Sequence, residues 1–185
     1  MQEDVSEQLL HRKVFLQTKT QDGRPLLIIR VRAHIAAANS IEYVKRFVVY
    51  CLEAAAWHCD SHSCPDAKMY ALFDLADIKW GNLDASALRH CFSVLTEAFP
   101  ERIFKIYMLD SPMIFDALWR VVSPFVDPVS KEKVKFISGE KGRVVLRDAI
   151  GLKYLPKAYS GEAEDLQELV VEEVFIRTRE AFSIE

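Results

Sequence analysis

The chain has 185 residues, half of them hydrophobic and 28% charged, with a formal net charge of −3. At this length a fold buries about 70% of the surface its unfolded chain exposes, so disorder, collagen and small disulfide scaffolds are excluded. Apolar runs such as Leu26 to Ile29 and Phe47 to Leu52 fall short of the about 20 residues of a membrane-spanning helix, acidic Met1 to Ser6 does not read as a secretory signal, and the four cysteines are expected in a reducing cytosol.

Val14 to Gln17 reads as a first strand and Leu26 to Arg32 as a second. Between them, Gln21-Asp22-Gly23-Arg24-Pro25 is a turn by its chemistry, since Asp-Gly permits a tight reversal and Pro25 can only open the next strand, so the two strands are expected to form a hairpin. Asn39, with Glu42 three residues on, is a cap for a helix running to Trp57, whose stripe is Val44, Phe47, Val48, Cys51, Leu52 and Ala55. Met69 to Leu75 is a third strand. Asp84 starts a second helix, apolar at Leu88, Cys91, Phe92, Leu95 and Phe99 and stopped by Pro100. Ile103 to Leu109 is a fourth strand, Met113 to Val122 a third helix, Val134 to Ile137 a fifth strand, and about Glu164 to Phe182 a fourth helix. Strands alternating with helices of this length predict an α/β fold: a mainly parallel five-stranded sheet with helices packed on it. Cys51 and Cys91 read as small core hydrophobes. No internal repeat, low-complexity tract or linker divides the chain.

Catalytic signatures are missing. The six glycines form neither GxGxxG nor GxxxxGK[ST], and neither Ser138-Gly139 nor Ser160-Gly161 belongs to a GxSxG elbow. No catalytic residue, metal or cofactor is therefore assigned, and the chain is expected not to be an enzyme. One loop carries ligand-like residues, His58, Cys59, His62 and Cys64. Its spacing is irregular for structural zinc, and it reads first as a polar surface loop, with a metal site or a Cys59 to Cys64 disulfide as lesser alternatives.

The charge is unevenly spread. Residues 162–185 carry −6 and residues 1–161 carry +3. Within the body, residues 131–157 hold Lys131, Lys133, Lys135, Lys141, Arg143, Arg147, Lys153 and Lys157 against Glu132, Glu140 and Asp148, a local +5. Two readings compete for it: a solvated face, or attraction to an anionic headgroup or membrane surface. Nucleic acid is disfavoured, because no aromatic platform is interleaved with the charges.

Five ordered motifs are more specific. They are Tyr-Ala-Leu-Phe-Asp-Leu at 70–75, Phe-Pro-Glu-Arg-Ile at 99–103, Ile-Tyr-Met-Leu-Asp-Ser-Pro-Met-Ile-Phe-Asp-Ala-Leu-Trp at 106–119, Ser-Pro-Phe-Val-Asp-Pro-Val-Ser-Lys-Glu-Lys-Val at 123–134, and Leu-Pro-Lys-Ala-Tyr-Ser-Gly at 155–161. Together they resemble the CRAL-TRIO lipid-binding domain family. The resemblance divides the chain into a short N-terminal segment with the first strand (1–21), a CRAL-TRIO-like domain (22–161) and an acidic C-terminal helix (162–185).

The resemblance implies a sheet floor under helices that enclose an apolar pocket for one lipid, covered by a gate helix matching Met113 to Phe125. Phe73, Leu75, Phe92, Tyr107, Phe115, Leu118, Trp119 and Val122 are the implied pocket or gate residues; for the last four, permanent core packing is the competing reading. Relatives that bind phosphoinositides imply headgroup roles for Glu101, Arg102 and Lys133, with Ser130 as a neutral donor. Against this, Glu101 and Arg102 could brace the next strand through Asp22 or Arg24, and Ser130 could cap the turn containing Lys133. The sequence departs from the family at Asp77, where glycine is frequent, at Asp110-Ser111-Pro112 and at Ser123, and only about twenty residues precede the Asp-Gly-Arg-Pro turn.

The expected function is non-catalytic binding, with intermembrane transfer or sensing, of one lipophilic molecule, phosphoinositide being slightly favoured, by a cytoplasmic protein in transient contact with anionic membranes. The alternative is a protein-interaction scaffold, for instance for small GTPases or their regulators, with partner binding or self-association through the C-terminal helix. A haem or other planar ligand is a lesser option.

Overall fold

The computed structural model describes residues 11–38, 40–61 and 64–164. Five strands, β1 (Val14–Gln17), β2 (Leu26–Arg30), β3 (Met69–Asp74), β4 (Ile103–Leu109) and β5 (Val134–Ile137), lie side by side in chain order. The β1–β2 pair is antiparallel and the other three pairs are parallel. The reversal is built as the turn chemistry requires: Gly23, at φ 84°, donates its N–H to the Thr20 carbonyl. Each parallel pair needs a crossover, supplied by α1 (Ile41–Ser61), by α2 (Ala85–Glu97), and by α3 (Met113–Val122) with the short α4 (Pro128–Lys133).

Strand side chains alternate between faces, and the alternation divides the core in two. Val14, Leu16, Leu27, Ala71, Phe73 and Met108 point to the face covered by α1, α2 and α3. Phe15, Leu26, Ile28, Leu72, Tyr107 and Leu109 point to the other face, where they meet Leu146, Ile150, Leu155 and Tyr159.

Two of those partners, Leu146 and Ile150, belong to a helix the sequence reading missed. It expected no helix between the fifth strand and the tail, yet α5 (Gly139–Ile150) follows β5 at once. Its buried positions are only Gly142, Leu146 and Ile150, a stripe too thin and too flanked by charge for hydrophobic periodicity to reveal. It ends at Gly151, at φ 89°, against the hairpin turn: a Cβ there would stand 2.8 Å from Gln21 Cβ.

Element ends also shift. β2 stops at Arg30 because Val31–Ala33 tighten into a 3-10 turn, and β3 stops at Asp74 rather than Leu75. Asp84 caps α2 as expected, its carboxylate accepting from Ala87 N at 2.8 Å. Two departures from the family pattern have a backbone explanation: Asp77 and Asp110 sit at φ 60° and 54°, in the left-handed region where aspartate is among the better tolerated non-glycine residues. The Asn39 cap, His62 and the helix expected over 164–182 lie outside the described residues, apart from Glu164, which ion-pairs with Lys157 at 2.9 Å. Among the described residues no helix is long and apolar enough to cross a membrane.

Candidate functional site

Between the helical layer and the sheet lies a cavity of about 140 Å³. Its floor is Val14, Leu27, Ile29, Ala71 and Phe73 of the sheet. Val44, Phe47, Val48, Cys51 and Leu52 of α1 form one wall, Ala87, Leu88, Cys91 and Leu95 of α2 a second, and Phe115 and Leu118 of α3 close it. The floor and the helical walls are thus apolar, and Lys13, Arg30, His34, Asn82 and Asp84 complete the lining.

Of the eight side chains implied as pocket or gate, the structure brings Phe73, Phe115 and Leu118 to the cavity. Leu75, Phe92 and Val122 are buried in the same core without lining the space, and Trp119 packs on Phe92 and on Phe136, with ring centroids 5.7 and 5.6 Å apart. Tyr107 is on the opposite face of the sheet, beside Tyr70, because only alternate residues of β4 can face α1–α3.

α3 is two-sided. Phe115 and Val122 are buried, Leu118 and Trp119 half-buried, while Met113 is 86% and Val121 56% exposed. Phe125, in the 3-10 turn that follows, is 62% exposed beneath the Arg89 guanidinium, 3.9 Å from its ring centroid.

The implied headgroup residues gather where β3, β4 and β5 begin. Glu101, 67% exposed on its side chain, is held at φ 60° just ahead of β4. Lys133 Nζ donates to its Oε2 at 3.3 Å, and Lys68 Nζ lies 3.7 Å from the same oxygen. Arg102 is beside them but turned to Asp60, with a bidentate pair at 2.5 and 3.1 Å and a third bond to the Ala67 carbonyl. That pair holds the guanidinium pKa above its usual value. The expected bracing by Asp22 or Arg24 is not what forms: those two pair with each other, and Arg24 also with Asp66. Ser130 is half-buried, and it is Asp127, not Ser130, that caps α4 by accepting from Ser130 N at 2.8 Å.

Sequence reasoning did not single out Lys68. Its signal is positional: like Arg102 and Lys133, it immediately precedes a strand of the parallel sheet, and parallel neighbours bring their beginnings to one edge. Much of the local +5 is consumed internally, since Arg143 pairs with Asp110 and Arg147 with Glu140, at 2.6 and 2.5 Å, while Lys131, Lys135, Lys141 and Lys153 remain exposed. The surface-loop reading fails for His58 and Cys59, which lie in the last turns of α1 where Cys59 packs into the core as a free thiol, while Cys64 beyond the helix donates to the Lys68 carbonyl at 3.2 Å.

A family model described as the CRAL/TRIO domain matches residues 10–161. The chain belongs to the CRAL/TRIO domain family. That family is one of lipid-binding and lipid-transfer domains. Among similar proteins, a CRAL-TRIO domain-containing protein of Schizosaccharomyces pombe is 28% identical over 134 residues, covering 72% of this chain and 30% of the relative. The phosphatidylinositol transfer protein CSR1 of Eremothecium gossypii is 24% identical over 160 residues, 86% of this chain and 35% of the relative. The chain thus spans about a third of the length of these curated relatives. The crystal structure of Sfh5 superposes with a TM-score of 0.69 over 92% of this chain and 66% of that one, at 14% identity, a likeness of fold. The match to the CRAL-TRIO model starts at residue 10, so it takes in β1, which pairs with β2 along its whole length.

Proposed function

We propose that this CRAL-TRIO domain is a non-catalytic carrier that holds one lipophilic molecule in the cavity between the sheet and α1–α3 and exchanges it at a membrane. The observation that carries the proposal is the cavity itself, walled by apolar side chains from the sheet and three helices. Each methylene moved there from water gains about 0.8 kcal/mol, so a dozen of them hold a chain firmly, and release requires the wall to open. α3 is suited to be that wall. Phe115 and Leu118 face the cavity while Met113, Val121 and Phe125 face outward, so an opening α3 keeps apolar contact if it opens against lipid.

Phosphoinositide is the favoured cargo. Lys133 and Lys68 converge on one exposed carboxylate at the edge of the sheet, and Arg102 lies next to Ile103, which lines the cavity. A phosphate at this edge would take charge-assisted bonds from the lysines, while Glu101 accepts from inositol hydroxyls and Ser130 adds a neutral donor. The relative named as a phosphatidylinositol transfer protein supports this choice. The expected setting is cytoplasmic, with transient contact at anionic membranes.

Native mass spectrometry and lipid extraction of the purified protein, followed by transfer between liposomes, test the reading. One bound lipid per chain and transfer of phosphatidylinositol are expected. A cavity that stays empty after incubation with mixed lipids overturns it, and a co-purifying protein in place of lipid would support the scaffold alternative instead.

A further inference from the structure

Strand alternation predicts that Lys13 and Val14 point to opposite faces. They do not. Lys13 stands just outside β1, after Arg12 at a left-handed φ of 48°, and both Lys13 and Val14 line the cavity on the helical face. Lys13 is only 5% exposed. Its ammonium stands 4.7 Å from the centroid of the Phe47 ring, and no carboxylate among the described residues reaches it.

The other polar members of the lining are committed. Asp84 accepts from Ala87 N at 2.8 Å and lies 3.1 Å from His34 Nε2. Asn82 donates to the Arg32 and His34 carbonyls at 3.1 and 2.7 Å. Arg30 reaches Tyr159 Oη at 3.5 Å and lies over the Phe15 ring. A buried cation with no counter-charge among the described residues is costly, and burial indeed lowers the Lys13 pKa to about 8.

We propose that Lys13 is the internal anion site of the cavity, receiving the carboxylate or phosphate of a ligand whose apolar chain occupies the space beneath α1–α3. This deepens the carrier reading and rests on it. The site is inside the cavity and separate from the exposed lysine pair at Glu101. A ligand anion there supplies a counter-charge in a low-dielectric setting, where a charge-assisted hydrogen bond is strong.

Isothermal titration of the full chain with monomeric oleate, oleoyl lysophosphatidate and oleyl alcohol tests this, since the three share one chain and differ in head. We expect at least one of the two anions to bind at least tenfold more tightly than the alcohol, and Lys13→Met to erase that margin while leaving alcohol binding within about twofold. Whichever anion shows the larger margin identifies carboxylate or phosphate as the head. Equal binding of anions and alcohol by the unmodified protein, or a margin that survives Lys13→Met, overturns the proposal while leaving the lipid cavity standing. Failure of all three to bind overturns the carrier reading itself. Should the variant not fold, acetylation of Lys13 in the unmodified chain decides: the preferred anion must slow it at least fivefold more than oleyl alcohol, and equal protection overturns the proposal.

Discussion

Tyr159 donates its hydroxyl hydrogen to Asp74 at 3.0 Å, beneath the sheet, across 85 positions of sequence. Asp74 ends β3 and is only 4% exposed; it also lies 3.3 Å from Arg32 Nη1 and accepts from Ala76 N. The bond joins the Phe-Asp-Leu motif to the Leu-Pro-Lys-Ala-Tyr motif, so two signatures used to recognise the family form one buried polar contact. Burial raises the tyrosine's pKa to about 12, with Asp74 adding to it. Tyr159→Phe leaves a buried carboxylate short of a donor and should cost about 1–3 kcal/mol, read as a lower urea midpoint with unchanged slope.

Gly161 closes the same motif. A Cβ at this position would stand 1.9 Å from the Leu155 carbonyl oxygen, a backbone contact that no rotamer change relieves. Gly161→Ala should therefore destabilise by about 3 kcal/mol, lowering the melting temperature by about 6–12 °C for a chain of this size. Scanning calorimetry checks it against Gly81→Ala, where nothing lies within 4 Å of the added methyl and no comparable loss is expected.

Filling the cavity should separate lipid uptake from folding. Ala87 lines the space from α2, and Ala87→Leu adds three carbons where a ligand chain would lie. Lipid recovered from the purified variant should fall at least about fivefold, with stability within about 1 kcal/mol of the parent.

Headgroup and cavity should be separable too. Lys133→Ala removes a cation held by an exposed carboxylate, so its effect on stability should stay below about 1 kcal/mol. Transfer of phosphatidylinositol should drop at least tenfold, while binding of oleyl alcohol, which has no phosphate, should not change.

The buried amine sets a pH dependence. Because burial holds Lys13 at about 8 against an ordinary 10.5, the folded chain binds fewer protons than the unfolded chain between those values, and this group's contribution to stability rises across that window. Below pH 8 the ammonium is charged in both states and its burial penalty is fully present. The titratable groups that share the cavity with it, Cys51 on α1, His34 after β2 and Asp84 ahead of α2, are all retained in Lys13→Met. That variant should be more stable than the parent by about 1 kcal/mol at pH 7, with the advantage shrinking between pH 8 and 10.5. Urea unfolding at pH 7, 9 and 10.5 measures it, and a constant difference would contradict it.

The five strands, α1, α2 and α3 were legible from local pattern because each carries its own periodicity, turn or cap. Phe47 and Cys51 repeat at helical spacing, Asp84 caps, and Asp22-Gly23 turns. α5 was not legible, since a helix that buries one residue per turn leaves too thin a stripe. The motifs placed Glu101, Arg102 and Lys133 near one another, because strand beginnings meet at one edge of a parallel sheet whatever the intervening sequence.

Local sequence thus determined the elements and their order, which depend on neighbours three or four residues away. Tertiary structure decided what those residues touch. Arg102 turned to Asp60 because the end of α1 returns beside the start of β4. Tyr107 fell on the far face because the register of β4 set its parity. Lys13 entered the cavity from just outside β1, where strand alternation no longer fixes its direction and the Phe47 ring of α1 receives its ammonium. Each outcome depends on packing between segments distant in the chain, where register and the space left by neighbours choose the partner.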